Sequence, residues 1–273
     1  MREVETSDQE AVPAERIIKD SQTAAGPAST LAYRPKPDVA GSGPLLIYIA
    51  GLDGTGQLFF KQAPSLSRSY RVVTYRSRDD GKFTYDDLTS DVAWIIHSLG
   101  EERATVLGES FGGTVALAFA LRYPEMVDRL VVVNSFPRFR KRIMIKLAAL
   151  LASLLPFQAL WPVRLITNTL GLYADGVSRE DRSRFFKAIR TVKGEGYARR
   201  LRLISEFDVE NRLPEIQAPT LFIAGEKDKL IASVREAREM AAHMPNARVR
   251  VIEGAGHALL LGSRARVAEI LCE

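Results

Sequence analysis

At 273 residues the chain is long enough to bury a full core, either as one large α/β domain or as one domain that carries an insertion. Its composition, 46% apolar and 26% charged with a modest net charge of +5, is that of an ordinary globular protein. The single cysteine, Cys272, excludes an internal disulfide, and no Cys/His cluster of the kind that binds a metal is present, so we expect no cofactor.

The first 28 residues are polar and show no sustained periodicity, which predicts a flexible N-terminal arm. They contain no apolar segment of the kind found in secretory signals. The longest apolar stretch, 147–161, is interrupted by Ser153, Pro156 and Gln158 and is too short to span a bilayer comfortably. These features favour a cytoplasmic protein, with membrane contact left open.

From residue 31 onward, strand and helix patterns alternate. A short strand at 31–33 and a turn-rich stretch at 35–44 precede the continuous apolar run at 45–50, which is typical of a central strand covered on both faces. Further strands are predicted at 71–76, 104–107 and 129–134, with a helix at 84–99. A helix between strands implies a parallel crossover, so the pattern predicts a doubly wound α/β sheet, mostly parallel, with helices on both faces. Ligands are expected at the carboxyl ends of its strands.

The alternation stops between residues 136 and 218, where only helical patterns occur, such as those at 143–155 and 182–207, and then resumes. A strand at 219–225, a helix at 232–243, a strand at 248–252 and a helix at 263–271 complete the chain. This organisation predicts an arm at 1–28, a core made of 29–135 and 219–273, and a helical cap insertion at 136–218.

Residues 103–123 connect a strand to a helix through a sharp turn, and they read RATVLGESFGGTVALAFALRY. In the motif Gly-x-Ser-x-Gly, such a turn holds the serine above the sheet, and the flanking glycines remove Cβ atoms that would clash. Ser110 is therefore the candidate nucleophile. The motif alone is weak, but the strand before it and the small residues behind it make it specific.

A serine needs a base, and the chain has three histidines. His97 and His243 each fall in the last turn of a predicted helix, where the helix dipole favours a histidine without any further role. His257 instead lies in a Gly-rich loop directly after the last strand. We predict His257 as the base.

The base needs a carboxylate partner that fixes its tautomer. Asp228 follows the strand at 219–225 and is our choice, with Glu226 a less favoured alternative. The resulting order along the chain, Ser110, Asp228, His257, is the one expected for α/β-hydrolases.

The tetrahedral intermediate also needs two N–H donors. Phe111, directly after the nucleophile at a helix N-terminus, would supply one, and Leu52 in the glycine-lined turn at 51–56 would supply the other. The same turn could be read as a phosphate loop. However, it lacks a Gly-Lys-Ser/Thr ending and does not match Gly-x-Gly-x-x-Gly, so nucleotide binding is discarded.

With these motifs in order, the chain from about Leu45 to Leu271 resembles the α/β-hydrolase superfamily. Residues 50–59, AGLDGTGQLF, resemble the oxyanion turn of a branch that includes plastid acyltransferase-like esterases and small bacterial hydrolases. The resemblance implies ester hydrolysis or acyl transfer. Ala50 departs from the His or Pro of many relatives, and no His-x-x-x-x-Asp acyltransferase box is present.

In this superfamily the segment after the sixth strand often forms a cap over the site, and residues 136–218 would be that cap. Here it carries 16 Lys and Arg against 8 Asp and Glu, and a basic run at 138–146 leads into the apolar stretch 147–157. This combination suits a membrane interface or an acyl-chain pocket, but equally a packed cap with a solvated basic face. We expect the cap to select hydrophobic acyl esters, and contact with anionic lipid stays open.

Three functions follow from these residues. The first is a serine hydrolase that acts on a small-molecule ester through an acyl-enzyme. The second is acyl transfer by the same residues, and the third is a non-catalytic ligand-binding protein on this fold, which an intact triad argues against. Nucleic acid is not an expected partner, because the basic excess lacks a recognisable reading motif. The sequence leaves the oligomeric state open.

Overall fold

One sheet organises the molecule. The computed structural model describes residues 33–140, 142–154 and 176–272. In these residues the strands are β1 (Pro37–Ala40), β2 (Leu45–Ile49), β3 (Arg71–Tyr75), β4 (Ala104–Glu109), β5 (Val127–Val133), β6 (Thr220–Gly225) and β7 (Ala247–Ile252). Their order is β1-β3-β2-β4-β5-β6-β7, with β1 antiparallel to β3 and every other pair parallel. The mostly parallel α/β sheet predicted from the sequence is confirmed.

Helices connect these strands. In the same described ranges they are α1 (Ala63–Leu66), α2 (Tyr85–Ser98), α3 (Phe111–Arg122), α4 (Arg142–Leu154), α5 (Arg179–Arg190), α6 (Gly194–Glu206), α7 (Ser233–Ala242) and α8 (Val267–Cys272). Short 3₁₀ helices lie at Gln57–Lys61, Pro124–Met126, Glu210–Glu215 and Leu259–Leu261. Helix α2 begins with a capping box, because Thr84 and Asp87 each accept a hydrogen bond from the other's backbone N–H. Of the helices described, none is long and apolar enough to cross a membrane.

The strands are buried according to their place in the sheet. Every residue of β2, β4 and β6 is buried, whereas β7 at the edge alternates between half-buried and exposed positions. Side chains of β2 alternate between two clusters, one containing Ile47 and the other Tyr48. Residues of α2 and α3 cover the first cluster, and residues of α8 cover the second. Both faces are therefore packed, as a parallel sheet requires.

Two local predictions are wrong. The stretch at 35–44, predicted as turns, contains β1, whose residues are mostly exposed and which pairs only with β3, so it lacks the apolar run of a central strand. The helical pattern over 182–207 is two helices, since the chain leaves the helical conformation at Lys193 before α6. Residues 31 and 32 of the predicted strand at 31–33 lie outside the described residues. The predicted arm at 1–28 and residues 155–175 also lie outside them.

The segment from 136 to 218 supplies α4, α5 and α6. Helix α4 packs on α6 through Ala149 and Ala152, which meet Ala198 and Leu201. In its described part the only strand-like pairing is one isolated bridge between Arg138 and Asp208. The described residues from Arg34 onward belong to one compact unit, so α4, α5 and α6 pack as part of the same unit as the sheet.

Candidate active site

The turn between β4 and α3 holds Ser110 in a strained conformation, with φ 54° and ψ −116°. A serine adopts such a backbone only where the surrounding structure enforces it. The two glycines of the motif allow the close packing: a Cβ on Gly108 would lie 2.2 Å from the carbonyl oxygen of Gly112, and one on Gly112 would lie 2.1 Å from that of Ile49. Helix α3 thus approaches β2 and β4 more closely than any residue with a side chain would permit.

The structure brings Ser110, Asp228 and His257 together at the carboxyl ends of β4, β6 and β7. The Ser110 hydroxyl donates to His257 Nε2 over 2.9 Å, and His257 Nδ1–H donates to Asp228 Oδ2 over 2.7 Å. The Asp228 carboxylate is fully buried, and the His257 side chain is 11% exposed. This is the chain of hydrogen bonds that activates a serine in acyl transfer.

The other candidate acid, Glu226, and the other two histidines have different partners. The carboxylate of Glu226 accepts a hydrogen bond from the Gly254 N–H over 2.9 Å and so supports the loop that leads to His257. His97 is in the last turn of α2, and His243 directly follows α7, where its Nδ1 bonds to the carbonyl of Glu239.

Electrostatics favour an ionised acid beside a basic imidazole. Burial, the largest single influence, would raise the pKa of Asp228, but the charge and hydrogen bond of His257, with hydrogen bonds from Ser233 and Ile231, lower it overall. Burial would likewise lower the pKa of His257, but the charge and hydrogen bond of Asp228 outweigh it, with a further contribution from Glu109, and the pKa is raised. Asp228 is therefore an anion that stabilises the protonated base.

The two predicted oxyanion donors lie beside Ser110. Phe111 is the first residue of α3, where a backbone N–H has no intrahelical acceptor. The Gly51 carbonyl accepts from the Gly54 N–H over 3.0 Å, which fixes the peptide plane that carries the Leu52 N–H. A Cβ on Gly51 would lie 3.6 Å from the Ser110 Cβ, so this turn borders the nucleophile. The donor role of both amides stays a prediction.

Asn134 supports the base and was missed from the sequence. It follows β5 in a left-handed conformation, with φ 45°. Its side-chain amide donates to the carbonyls of Gly256 and His257, over 3.1 and 2.6 Å, and its oxygen accepts from the Gly225 N–H over 2.8 Å. One side chain thus joins the ends of β5 and β6 to the loop of the base. An asparagine directly after an apolar strand is the available signal, because asparagine tolerates this backbone conformation.

Arg200 in α6 is a second residue that the sequence did not reveal. It is 1% exposed, and its guanidinium donates to the carbonyl oxygens of Leu52 and Arg78, over 3.3 and 2.6 Å. The guanidinium also lies over the ring of Phe83. A buried arginine bonded to two backbone carbonyls links the helical segment to the turn of the predicted oxyanion donor Leu52.

Glu109, which directly precedes Ser110, forms a third unpredicted feature with Tyr48. The Tyr48 hydroxyl donates to Glu109 Oε2 over 2.8 Å, and both side chains are buried. Burial, only partly offset by the hydrogen bond from Tyr48 and the charge of His257, raises the pKa of Glu109 to about 7.

Apolar side chains surround the nucleophile turn. Leu52 and Ile145 pack both against the main cluster, which contains Phe111 and Phe207, and against the alanines between α4 and α6. Beside the Arg200 guanidinium, the contact of Leu52 with α4 and α6 is therefore apolar.

Comparisons with known proteins agree with this fold. A family model described as alpha/beta hydrolase fold matches residues 44–263. A protein from Cronobacter sakazakii, provisionally named carbamate hydrolase RutD, is 30% identical over 234 residues, which cover 79% of this chain and 84% of that protein. Two solved structures share the fold at lower identity. They are the enol-lactonase from Burkholderia xenovorans LB400 (24% identity, TM-score 0.73, 87% of this chain and 93% of that one) and the esterase EaEST from Exiguobacterium antarcticum (21%, 0.74, 87% and 94%).

Proposed function

This chain belongs to the α/β-hydrolase family, and from that premise we propose that it is a serine hydrolase that cleaves carboxylic esters of hydrophobic acyl groups. The observation that carries the proposal is the continuous hydrogen-bond chain from Ser110 through His257 to Asp228, with distances of 2.9 and 2.7 Å. A strained serine with its base already in place is ready for nucleophilic catalysis.

The reaction has two halves. Ser110 Oγ attacks the ester carbonyl while His257 Nε2 takes its proton, and His257 then gives that proton to the alcohol oxygen as the carbon–oxygen bond breaks. Water, deprotonated by His257, attacks the acyl-enzyme and releases the acid, and the proton returns to Ser110 Oγ. The N–H groups of Leu52 and Phe111 stabilise the negative oxygen of each tetrahedral intermediate.

The surroundings of Ser110 support an apolar acyl group. Leu52 and Ile145, which are only partly buried, offer apolar contact near the turn of the predicted oxyanion donor, and such contact stabilises binding in proportion to the apolar area buried. The relatives named carbamate hydrolase indicate a second candidate, because a carbamate carbonyl is open to the same attack. A small polar carbamate would gain little from the apolar surface, which favours the ester.

A panel of chromogenic substrates tests the proposal. We would compare p-nitrophenyl acetate, butyrate, octanoate and laurate with p-nitrophenyl dimethylcarbamate, for wild type and Ser110→Ala. We expect Ser110-dependent hydrolysis with kcat/KM rising beyond acetate. A preference for the carbamate would replace the substrate class, and a signal that survives Ser110→Ala would reject Ser110 as nucleophile. Product analysis with added methanol separates hydrolysis from acyl transfer.

We also propose that the outer face of α4 docks on an anionic membrane. One face of the helix, with Ala149 and Ala152, packs inward, whereas five large apolar residues on the opposite face are 45–85% exposed: Ile143, Met144, Leu147, Leu150 and Leu151. A continuous exposed face of five large apolar side chains marks an interaction site. Lys146 is exposed on the same helix, and the segment 136–218 has twice as many basic as acidic residues, which suits anionic lipid better than a second, equally basic copy.

Vesicle sedimentation tests this contact. We expect binding to phosphatidylglycerol vesicles, weaker binding to phosphatidylcholine vesicles, and loss of both in Leu147→Glu. Val39→Glu, at another exposed apolar position, is the matched control and should bind as wild type does. Failure of the wild type to sediment with either vesicle, or a dimer that Leu147→Glu dissociates, would reject the membrane as the occupant of this face.

A further inference from the structure

The mechanism above makes no use of the carboxyl group that lies closest to the nucleophile in sequence. Glu109 ends β4, immediately before Ser110, and its side chain points to the same face of the sheet as that of Leu107. Tyr48 of β2 is paired in register with Leu107, which places its hydroxyl within 2.8 Å of Glu109 Oε2. The carboxyl and the phenol bond to each other, and the Tyr48 ring belongs to the second of the two apolar clusters.

Such a pair is costly for the fold. Removing a carboxylate from water is expensive even when it is hydrogen-bonded, and apolar residues of similar volume are often at least as stabilising as a buried polar pair. The Tyr48 ring is already fixed by stacking on Phe59, at 4.2 Å between ring centroids, so packing does not require its hydroxyl. A costly polar pair that includes the residue directly before the nucleophile points to a role in the site.

The charged groups that face Glu109 limit what this role is. Among the residues that the structure describes, they are His257 and Asp53, beside the Tyr48 hydroxyl. His257 is held close to Glu109 because its Nε2 lies 2.9 Å from the Oγ of Ser110, the next residue in the chain. Asp53 is an unfavourable partner, because its like charge repels that of Glu109 and its Oδ1 already accepts from the N–H and hydroxyl of Thr55. The favourable partner is the protonated form of His257, whose pKa Glu109 helps to raise.

We propose that Glu109 is a positioning residue for His257: its carboxylate, held by Tyr48, is a second anion beside Asp228 that stabilises the imidazolium formed when His257 takes the Ser110 proton. No proton moves between Glu109 and His257 in this role. The catalytic part of the inference rests on the proposed serine hydrolase, whereas the electrostatic link between the two side chains does not.

The link has a measurable consequence in the neutral pH range. Burial brings the pKa of Glu109 to about 7, close to the range in which histidine titrates, so the two groups influence each other's ionisation. Above this pH Glu109 is an anion and stabilises the imidazolium. Below it Glu109 is neutral, and Asp228 is left as the anion bonded to His257.

Histidine titration by nuclear magnetic resonance tests the link without any substrate. The chain has three histidines, and the His257 signal is assigned by its loss in His257→Gln. We expect Glu109→Gln to lower the pKa of His257 by at least about half a pH unit. Tyr48→Phe should shift it in the same direction, and the double variant should add little to Glu109→Gln. Tyr85→Phe is the matched control, because this half-buried tyrosine bonds to Thr114 and should leave the titration unchanged.

Kinetics then test the catalytic part. We expect kcat/KM of Glu109→Gln above pH 7 to fall about three- to tenfold, with its acid limb displaced to lower pH. An unchanged His257 titration in Glu109→Gln overturns the inference even if the esterase is active. A wild type without esterase activity rejects the proposed function, while the titration still decides the link. Should Glu109→Gln fail to fold, Tyr48→Phe and the wild-type titration curve decide. The electrostatic link gives the His257 signal a second titration step near pH 7 in the wild type, and the absence of that step rejects the link.

Discussion

The guanidinium of Arg200 donates a hydrogen bond to the carbonyl oxygen of Leu52, at 3.3 Å, and so ties α6 to the turn that carries a predicted oxyanion donor. The same group bonds to the carbonyl of Arg78, at 2.6 Å. Backbone geometry at the site therefore depends on a side chain from the helical segment. A substitution at Arg200 tests whether this segment supports catalysis.

Arg200→Lys should weaken both stability and catalysis. A single ammonium cannot reproduce the planar fork that reaches two carbonyls, and one buried carbonyl left unpaired costs about 1–3 kcal/mol. We expect kcat to fall about tenfold, because a small displacement of an oxyanion donor weakens transition-state stabilisation. Urea unfolding and ester kinetics measure the two effects. Arg202→Lys, at an exposed position of the same helix, is the control, and an equal loss there would deny Arg200 a specific role.

Gly54→Ala should be strongly destabilising. Gly54 has φ +61°, and a Cβ there would lie 2.1 Å from Arg200 Nη2. Gly100 provides the matched comparison, since its φ is +75° but no atom lies within 4 Å of the added Cβ. We expect about 1 kcal/mol of destabilisation for Gly100→Ala from the backbone alone and at least about 2 kcal/mol more for Gly54→Ala. Equal effects in thermal unfolding would show that Arg200 can move aside.

Replacing the nucleophile should separate activity from stability. Both Ser110→Ala and Ser110→Gly remove the hydroxyl and should abolish esterase activity. Alanine retains the strain at φ 54°, whereas glycine relieves it, so we expect Ser110→Gly to be about 1 kcal/mol more stable than Ser110→Ala. At an unstrained site the alanine variant is the more stable of the two. If chemical denaturation finds Ser110→Ala more stable than Ser110→Gly, the backbone at Ser110 is not strained.

Stability should depend on pH through Glu109. Its pKa rises from 4.5 to about 7 on folding, so its contribution to stability is complete below pH 4.5 and is lost as pH rises through 7. A rise of 2.5 pH units corresponds to about 3 kcal/mol. We expect the free energy of unfolding of Glu109→Gln, relative to wild type, to increase by up to that amount between pH 4.5 and 8. A constant difference across this range would show that Glu109 ionises normally.

The two candidate acids should differ sharply in kinetics. Asp228→Asn removes the anion that bonds to His257 Nδ1–H, so we expect kcat to fall by about 10⁴ and the acid limb to move to lower pH, because the pKa of His257 is no longer raised. Glu226→Gln loses a carboxylate that bonds to the Gly254 N–H, and we expect less than about a threefold change. The reverse order in kcat would exchange their roles.

The sequence predicted the features that depend on a local pattern of residues. The buried run at Leu45–Ile49 identified a central strand, and the glycine-lined turns around Ser110 and His257 drew attention to residues that the structure brings together. It did not reveal β1, because an exposed edge strand has no apolar run. Nor did it reveal Arg200, whose contact with Leu52 joins residues 148 positions apart. A polar side chain gains such a role only from a distant partner, and one sequence without that partner's position does not show it.

The three strand ends that meet at the site also couple the chemistry to the order of folding. Ser110 and His257 are 147 residues apart, and the hydrogen bond between them forms only when β6 and β7 have joined β5 across the sheet. Contacts of such long sequence separation are slow to form, because the chain loses much entropy before they stabilise it. Recovery of esterase activity on refolding should therefore lag behind the return of helical structure, so that activity reports a completed sheet.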